Sequence, residues 1–91
     1  MSDVRLTLIG KPECHLCDVA DGVVGEVLSE VALHDNSPTV TVEHLSILDD
    51  EQLYDQYWEQ IPVLLIDGVK HAHWRVKPDK LRAALLGETR A

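Results

Sequence analysis

The chain has 91 residues, a length typical of one domain, and its 16 acidic and 8 basic side chains give a formal net charge of −8. This charge argues against nucleic-acid partners, because contacts to a phosphate backbone need clustered Lys and Arg. No segment approaches the ~20 apolar residues of a membrane span, and the N-terminus lacks a signal-peptide pattern, so we expect a single domain over residues 1–91 in the cytoplasm, without membrane contacts.

The first two predicted elements flank the only two cysteines of the chain. Residues 4–9 alternate in polarity and are rich in β-branched side chains, which predicts a strand. Residues 15–33 carry apolar side chains at three- and four-residue steps, which predicts a helix with a buried stripe. The stripe consists of Leu16, Val19, Ala20, Val23, Val24, Val27, Leu28 and Val31. Cys14 and Cys17 therefore lie where the strand gives way to the helix.

The middle of the chain predicts a second strand and a short helix. Residues 39–45 alternate between β-branched and polar side chains, as a strand does. Three acidic residues then open a short helix over 49–58, where their charges face its positive end. A strand, a helix and a second strand in this order form a crossover unit, so we expect the two strands to be parallel.

The C-terminal third predicts a β-hairpin followed by a helix. The continuous apolar run 63–66 is typical of a central strand, and Asp67-Gly68 is a strong signal for a tight turn into a fourth strand over 69–75. Pro78 suits the first turn of a last helix, which Gly87 ends. The order β-α-β-α-β-β-α predicts an α/β fold with a four-stranded mixed sheet and helices on both faces.

The Cys14-His15-Leu16-Cys17 motif predicts a dithiol redox site. Unpaired N–H groups and the positive end of the dipole favour a thiolate at a helix N-terminus. We expect Cys14 to be the exposed, attacking thiol and Cys17, one turn further on, to be the buried resolving thiol. Lys11, and His15 when protonated, should lower the pKa of Cys14, whereas Glu13 and Asp18 should oppose them.

Taken together, these motifs resemble the glutaredoxin-like branch of the thioredoxin fold over residues 4–86. The matching features are the segment 11–17, Ile61-Pro62 before the third strand, and Asp67-Gly68 in the hairpin. The resemblance implies a thioredoxin-like fold, thiol–disulfide exchange and a cis peptide bond between Ile61 and Pro62. It also implies that the backbone of Ile61 faces the thiols as a docking edge for an extended substrate.

The segment HWRVKPD over residues 73–79 departs from glutaredoxins that use glutathione. Those proteins carry a Gly-Gly pair after the last strand, followed by a small residue and an Asp. Without the glycines the backbone cannot approach a ligand in the same way, so we do not transfer the glutathione site. Arg75 and Lys77 could instead bind a carboxylate by charge. Leu16 stands where those proteins carry an aromatic residue just before the second cysteine. Trp74 either covers the redox pair or packs on the last helix, and we favour packing, because Trp is largely buried on average.

The predicted function is thiol–disulfide exchange by a monomer, on a disulfide-containing protein or a small thiol substrate. No metal and no bound cofactor are expected, and glutathione is left open as a co-substrate. Two other interpretations remain open. One is a binding or adaptor module that keeps the fold without turnover. The other is metal or iron–sulfur binding through the cysteine pair, with His15 or with His71 and His73 as further ligands. We interpret His71 and His73 as solvent-facing strand residues.

Overall fold

Seven elements follow one another in the predicted order in the computed structural model, which describes residues 3–35 and 37–87. The strands are β1 (Asp3–Gly10), β2 (Thr39–Ser46), β3 (Val63–Ile66) and β4 (Val69–His73), and the helices are α1 (His15–Val31), α2 (Glu51–Tyr57) and α3 (Pro78–Leu86). α1 and β4 end earlier than predicted, at Val31 and His73. Both ends of the predicted 1–91 domain lie outside the described residues, and its extent stays a prediction.

The four strands form one mixed sheet in the order β2-β1-β3-β4. β1 pairs with β2 in parallel, and it pairs with β3 in antiparallel fashion through Ile9 opposite Val63. β3 pairs with β4 in antiparallel fashion as well. The predicted pairings are confirmed, and β3 is an interior strand as its apolar run indicated.

The hairpin between β3 and β4 closes through a turn whose residues both have positive φ. Asp67 has φ 50° and Gly68 has φ 84°, the sign that a two-residue type I′ turn requires. Asp67 also binds the neighbouring strand: its carboxylate accepts the Arg5 backbone N–H at 2.9 Å, and its own N–H donates to the Arg5 carbonyl at 2.8 Å. The turn is therefore anchored to the start of β1.

Helices cover both faces of the sheet. α1 and α3 pack on one face, where the main core collects the side chains Leu6, Leu8, Ala20, Val24, Val27, Val31, Leu64, Val76, Leu81 and Leu85. α2 packs on the other face, where Leu53 and Tyr57 contact a smaller core of Ile9, Ile47 and Val63. The mixed four-stranded sheet with helices on both faces is thus confirmed. No helix among the described residues is long and apolar enough to cross a bilayer.

The buried stripe of α1 is shorter than predicted. Ala20, Val24 and Val27 are buried, but Leu16 and Val19 each remain 50% exposed. The prediction was wrong at this end of the helix because the facing segment, Trp74 to Val76, leaves a groove beside Leu16 and Val19 and does not close over them. The first turn of α1 consequently carries apolar side chains on the surface.

Candidate functional site

The first turn of α1 is capped by Cys14. This residue has extended backbone angles, φ −113° and ψ 108°, and its sulfur accepts the backbone N–H of Cys17 at 3.2 Å. Its carbonyl accepts the N–H of Asp18 at 3.1 Å. The Cys14 sulfur therefore lies at the positive end of a 17-residue helix, a position that favours an anion.

Cys14 and Cys17 lie close enough to form a disulfide, with their Cα atoms 5.2 Å apart. Cys17 is only 9% exposed, whereas Cys14 is half-buried. The difference in access has the predicted direction, although Cys14 is less open to solvent than expected. Cys14 is therefore the more accessible of the two sulfurs.

Gly10, the last residue of β1, packs directly against the cysteine pair. A Cβ atom at this position would stand 2.7 Å from the Cys17 sulfur and 3.2 Å from the Cys17 Cβ. Because carbon atoms in contact stay about 3.5–4.0 Å apart, only glycine leaves room for this sulfur. Sequence reasoning missed this residue. The available signal was a glycine at the end of a strand, directly before the Cys-x-x-Cys loop.

The second wall of the site is the loop that leads into β3. The peptide bond between Ile61 and Pro62 is cis, Pro62 is buried and Ile61 is half-buried. Because Ile9 pairs with Val63, continuing the antiparallel register places Pro62 across from Gly10. Gly10 in turn contacts Cys17, so the proline loop and the cysteine pair flank the same end of β1.

Trp74 holds this proline loop in place. It has φ 63°, and its backbone N–H donates to the Pro62 carbonyl at 2.8 Å and to the Gln60 carbonyl at 3.3 Å. Its indole N–H donates to the Glu59 carbonyl at 2.9 Å. The side chain remains 56% exposed, so its interpretation as a residue packed on the last helix was wrong. The left-handed backbone and the indole hydrogen bond direct the ring toward residues 59–60.

Lys11 and His15, the predicted activating residues, are both exposed. Lys11 lines a groove of about 290 Å³ that also contains Cys17, Asp18 and Asp21. The ring of His44 closes one side of this groove and contacts the Asp21 carboxylate at 2.8 Å. Charges of both signs thus surround Cys17, and the activating roles of Lys11 and His15 stay predictions.

The two histidines of β4 differ in their surroundings. The register passes from Leu64 opposite Ala72 to Leu65 opposite Lys70, which leaves His71 as an unpaired bulge residue. His71 is partly buried, and this burial lowers its pKa from the usual 6.5, whereas His73 is exposed. Within residues 3–35 and 37–87, no group of three or more His, Cys, Asp or Glu side chains is arranged to hold a metal ion.

Comparison with known proteins places the chain in a family. The model of the Glutaredoxin-like domain (DUF836) matches residues 5–86. An uncharacterized protein of Mycobacterium tuberculosis is 26% identical over 89 residues, which cover 98% of this chain and 90% of that protein.

Solved structures agree on the fold. A Nitrosomonas europaea protein solved by solution NMR superposes with a TM-score of 0.74 at 21% identity, over 93% of this chain and 94% of that one. An X. campestris protein solved by X-ray diffraction superposes with a TM-score of 0.62 at 28% identity, over 90% of this chain and 96% of that one. A mutant thioredoxin from Halobacterium salinarum superposes with a TM-score of 0.61 at 22% identity, over 99% of this chain and 78% of that one. The predicted thioredoxin-like fold is confirmed, and the chain belongs to the glutaredoxin-like domain family.

Proposed function

We propose that this protein is a thiol–disulfide oxidoreductase in which Cys14 and Cys17 form the redox centre. The observation that carries the proposal is the Cys14 sulfur, which caps α1 at 3.2 Å from the Cys17 N–H and lies within disulfide-forming distance of the Cys17 sulfur. A thiolate at a helix N-terminus is the nucleophile that disulfide exchange needs, and a second thiol within reach completes the reaction.

The proposed reaction moves two electrons from the protein to the substrate. The Cys14 thiolate attacks one sulfur of the substrate disulfide, forms a mixed disulfide with it, and releases the other sulfur as a thiolate that takes a proton. Cys17 then loses its proton and attacks the Cys14 sulfur, which releases the second substrate thiol and leaves the protein oxidised. A thiol or dithiol reductant restores the reduced pair.

The surrounding residues take supporting roles in this proposal. Lys11 and His15 favour the thiolate of Cys14 by charge, and the backbone of Ile61 beside Pro62 docks the extended chain of the substrate. Gly10 leaves the space in which the Cys17 sulfur lies. We propose a reducing compartment as the setting, because it keeps such a pair in its attacking form.

An insulin-reduction assay with dithiothreitol as reductant tests the proposal. We expect Cys14→Ser to fall to the uncatalysed rate, since the nucleophile is gone. Cys17→Ser should retain the first step and accumulate a mixed disulfide that mass spectrometry detects. Equal rates for the wild type and Cys14→Ser would overturn the proposal.

The ionisation of Cys14 separates this function from a module without turnover. We expect iodoacetamide to alkylate Cys14 with a pH midpoint below the ordinary value of about 8.5. A midpoint at or above that value would favour the binding or adaptor interpretation.

A further inference from the structure

An apolar groove opens beside the cysteine motif, on the surface of α1. Leu16, which lies between the two cysteines, forms this groove together with Val19, Trp74 and Val76, and its volume is about 220 Å³. Leu16 and Val19 are 50% exposed and Trp74 is 56% exposed. Large apolar side chains gathered on the surface of a soluble domain mark an interaction site. We call this depression, between α1 and residues 74–76, the Trp74 groove.

The Trp74 wall of the groove is fixed by hydrogen bonds. Its backbone N–H binds the Pro62 carbonyl at 2.8 Å and its indole N–H binds the Glu59 carbonyl at 2.9 Å. A ligand that packs against this ring need not immobilise it first, which removes part of the entropy cost of binding. The same bonds join the Trp74 wall to the loop that contains Ile61 and Pro62.

One side of the Trp74 groove is positively charged. Arg75 lines the groove and Lys77 follows it closely in sequence, and both side chains are exposed. Among the described residues, the salt bridges join His44 to Asp21 and Arg82 to Glu30, and neither Arg75 nor Lys77 takes part. The chain as a whole repels an acidic ligand, because its net charge is −8. These two cations would therefore orient a carboxylate toward this groove.

We propose that the Trp74 groove is the specificity subsite for a protein substrate. The substrate is an extended segment with a large apolar side chain next to its half-cystine and an acidic side chain close by. The apolar side chain packs between Trp74 and Val19, and the carboxylate binds Arg75. The inference rests on the proposed function, because it assigns the substrate of the same cysteine pair. Glutathione has no large apolar side chain and would leave the groove unfilled.

Synthetic peptides test the apolar part of this proposal. Each peptide carries one cysteine, joined in a mixed disulfide to thionitrobenzoate, and the two peptides differ only by Leu or Ser beside that cysteine. The reduced full-length protein is mixed with each peptide in a single turnover. Cys14 attacks the peptide sulfur and releases thionitrobenzoate, which is followed by absorbance, and Cys17 then displaces the peptide thiol as the protein is oxidised.

The wild type should react about tenfold faster with the Leu peptide, the selectivity of a modest apolar pocket. Trp74→Ala and Val19→Ser should each slow the reaction with the Leu peptide more than the reaction with the Ser peptide, which brings the two rates close to parity. Val69→Ser is the matched control, because Val69 is a 70% exposed valine at the hairpin end of β4. The Val69→Ser variant should react about tenfold faster with the Leu peptide than with the Ser peptide, as the wild type does. Val19→Ser also keeps the test valid if Trp74→Ala disturbs the proline loop.

A second peptide pair, with Glu or Lys near the cysteine, tests the role of Arg75. The wild type should prefer the Glu peptide severalfold at low ionic strength, and Arg75→Glu should reverse this order. Arg5→Glu makes the same charge change at the start of β1, and it should leave the order unchanged.

The outcomes separate the subsite from the function. Equal Cys14-dependent rates for the Leu and Ser peptides would discard the subsite and leave the oxidoreductase standing. The absence of any Cys14-dependent reaction would overturn both. A glutathione–thionitrobenzoate disulfide that reacts faster than the Leu peptide would show that the assigned substrate class is wrong.

Discussion

Replacing Gly10 with alanine should change the redox equilibrium of the cysteine pair. The added Cβ would stand 2.7 Å from the Cys17 sulfur, so the two atoms must separate by roughly 1 Å to reach normal contact. The Cys17 Cβ, 3.2 Å from the same point, restricts the available movements. In the reduced protein the sulfur can rotate away, but in the oxidised protein it is bonded to Cys14 and cannot. The substitution therefore destabilises the oxidised form more than the reduced form.

Overpacking of this kind costs about 1–3 kcal/mol. If most of that cost falls on the oxidised form, the reduction potential rises by about 20–60 mV, because 1.4 kcal/mol corresponds to about 30 mV for a two-electron couple. The potential is measured by equilibrating the protein in glutathione buffers of graded composition and counting free thiols by alkylation. In thermal unfolding, Gly10→Ala should lower the melting temperature of the oxidised form more than that of the reduced form.

Gly25→Ala is the control for this prediction. No atom lies within 4 Å of a Cβ at Gly25, which is an exposed residue inside α1. Alanine should therefore stabilise the helix by about 0.5–1 kcal/mol and leave the potential unchanged. A Gly10→Ala protein with the potential and the thermal stability of the wild type would refute the packing argument.

Three further predictions concern stability. Asp67→Ala should lower the free energy of unfolding by about 1 kcal/mol, because it removes the acceptor of the Arg5 N–H and puts alanine at a positive φ. Asp67→Asn keeps an oxygen acceptor and should retain most of that free energy. Equal melting temperatures for Asp67→Ala and the wild type would contradict this prediction. Asp50→Ala should cost about 0.5–2 kcal/mol of unfolding free energy in urea, because the Asp50 side chain caps α2 through two backbone N–H groups, and Asp50→Ser should restore it. Burial lowers the pKa of His71 in the folded protein below its unfolded value of 6.5, so its contribution to stability is complete above that pH and is lost as the pH falls below it. His71→Gln should flatten the stability profile as the pH falls below 6.5, which urea unfolding at a series of pH values measures.

Local signals in the sequence were enough to locate most of the elements. β3 begins and ends as predicted at Val63 and Ile66, because a continuous apolar run stands between a proline and an Asp-Gly turn. α3 begins at Pro78 and ends before Gly87, whose φ of 75° provides the left-handed cap. The end of α1 was placed too late, since Leu33 continued the apolar pattern although it is 86% exposed beyond the helix.

The parts of the site that sequence reasoning missed depend on contacts between distant segments. The contact of Gly10 with Cys17 forms only when the helix folds back over the end of β1. The orientation of Trp74 is set by carbonyl groups of residues 59–62, and no local pattern around Trp74 reveals these partners. Leu16 is exposed because the segment that carries Trp74 lies beside Leu16, across a groove, and does not cover its side chain.

The position of β1 in the sheet has a consequence for local motion. Within residues 3–35 and 37–87, β1 has a hydrogen-bonded neighbour on each side, whereas β2 and β4 each have a neighbour on one side only. Amide hydrogens along Leu8 and Ile9 should therefore exchange with solvent more slowly than those along the free edge of β4. Cys14 and Cys17 lie at the start of α1, and Gly10 at the end of β1 contacts Cys17. Either outer strand can therefore fray while the contact between β1 and the cysteine pair stays in place.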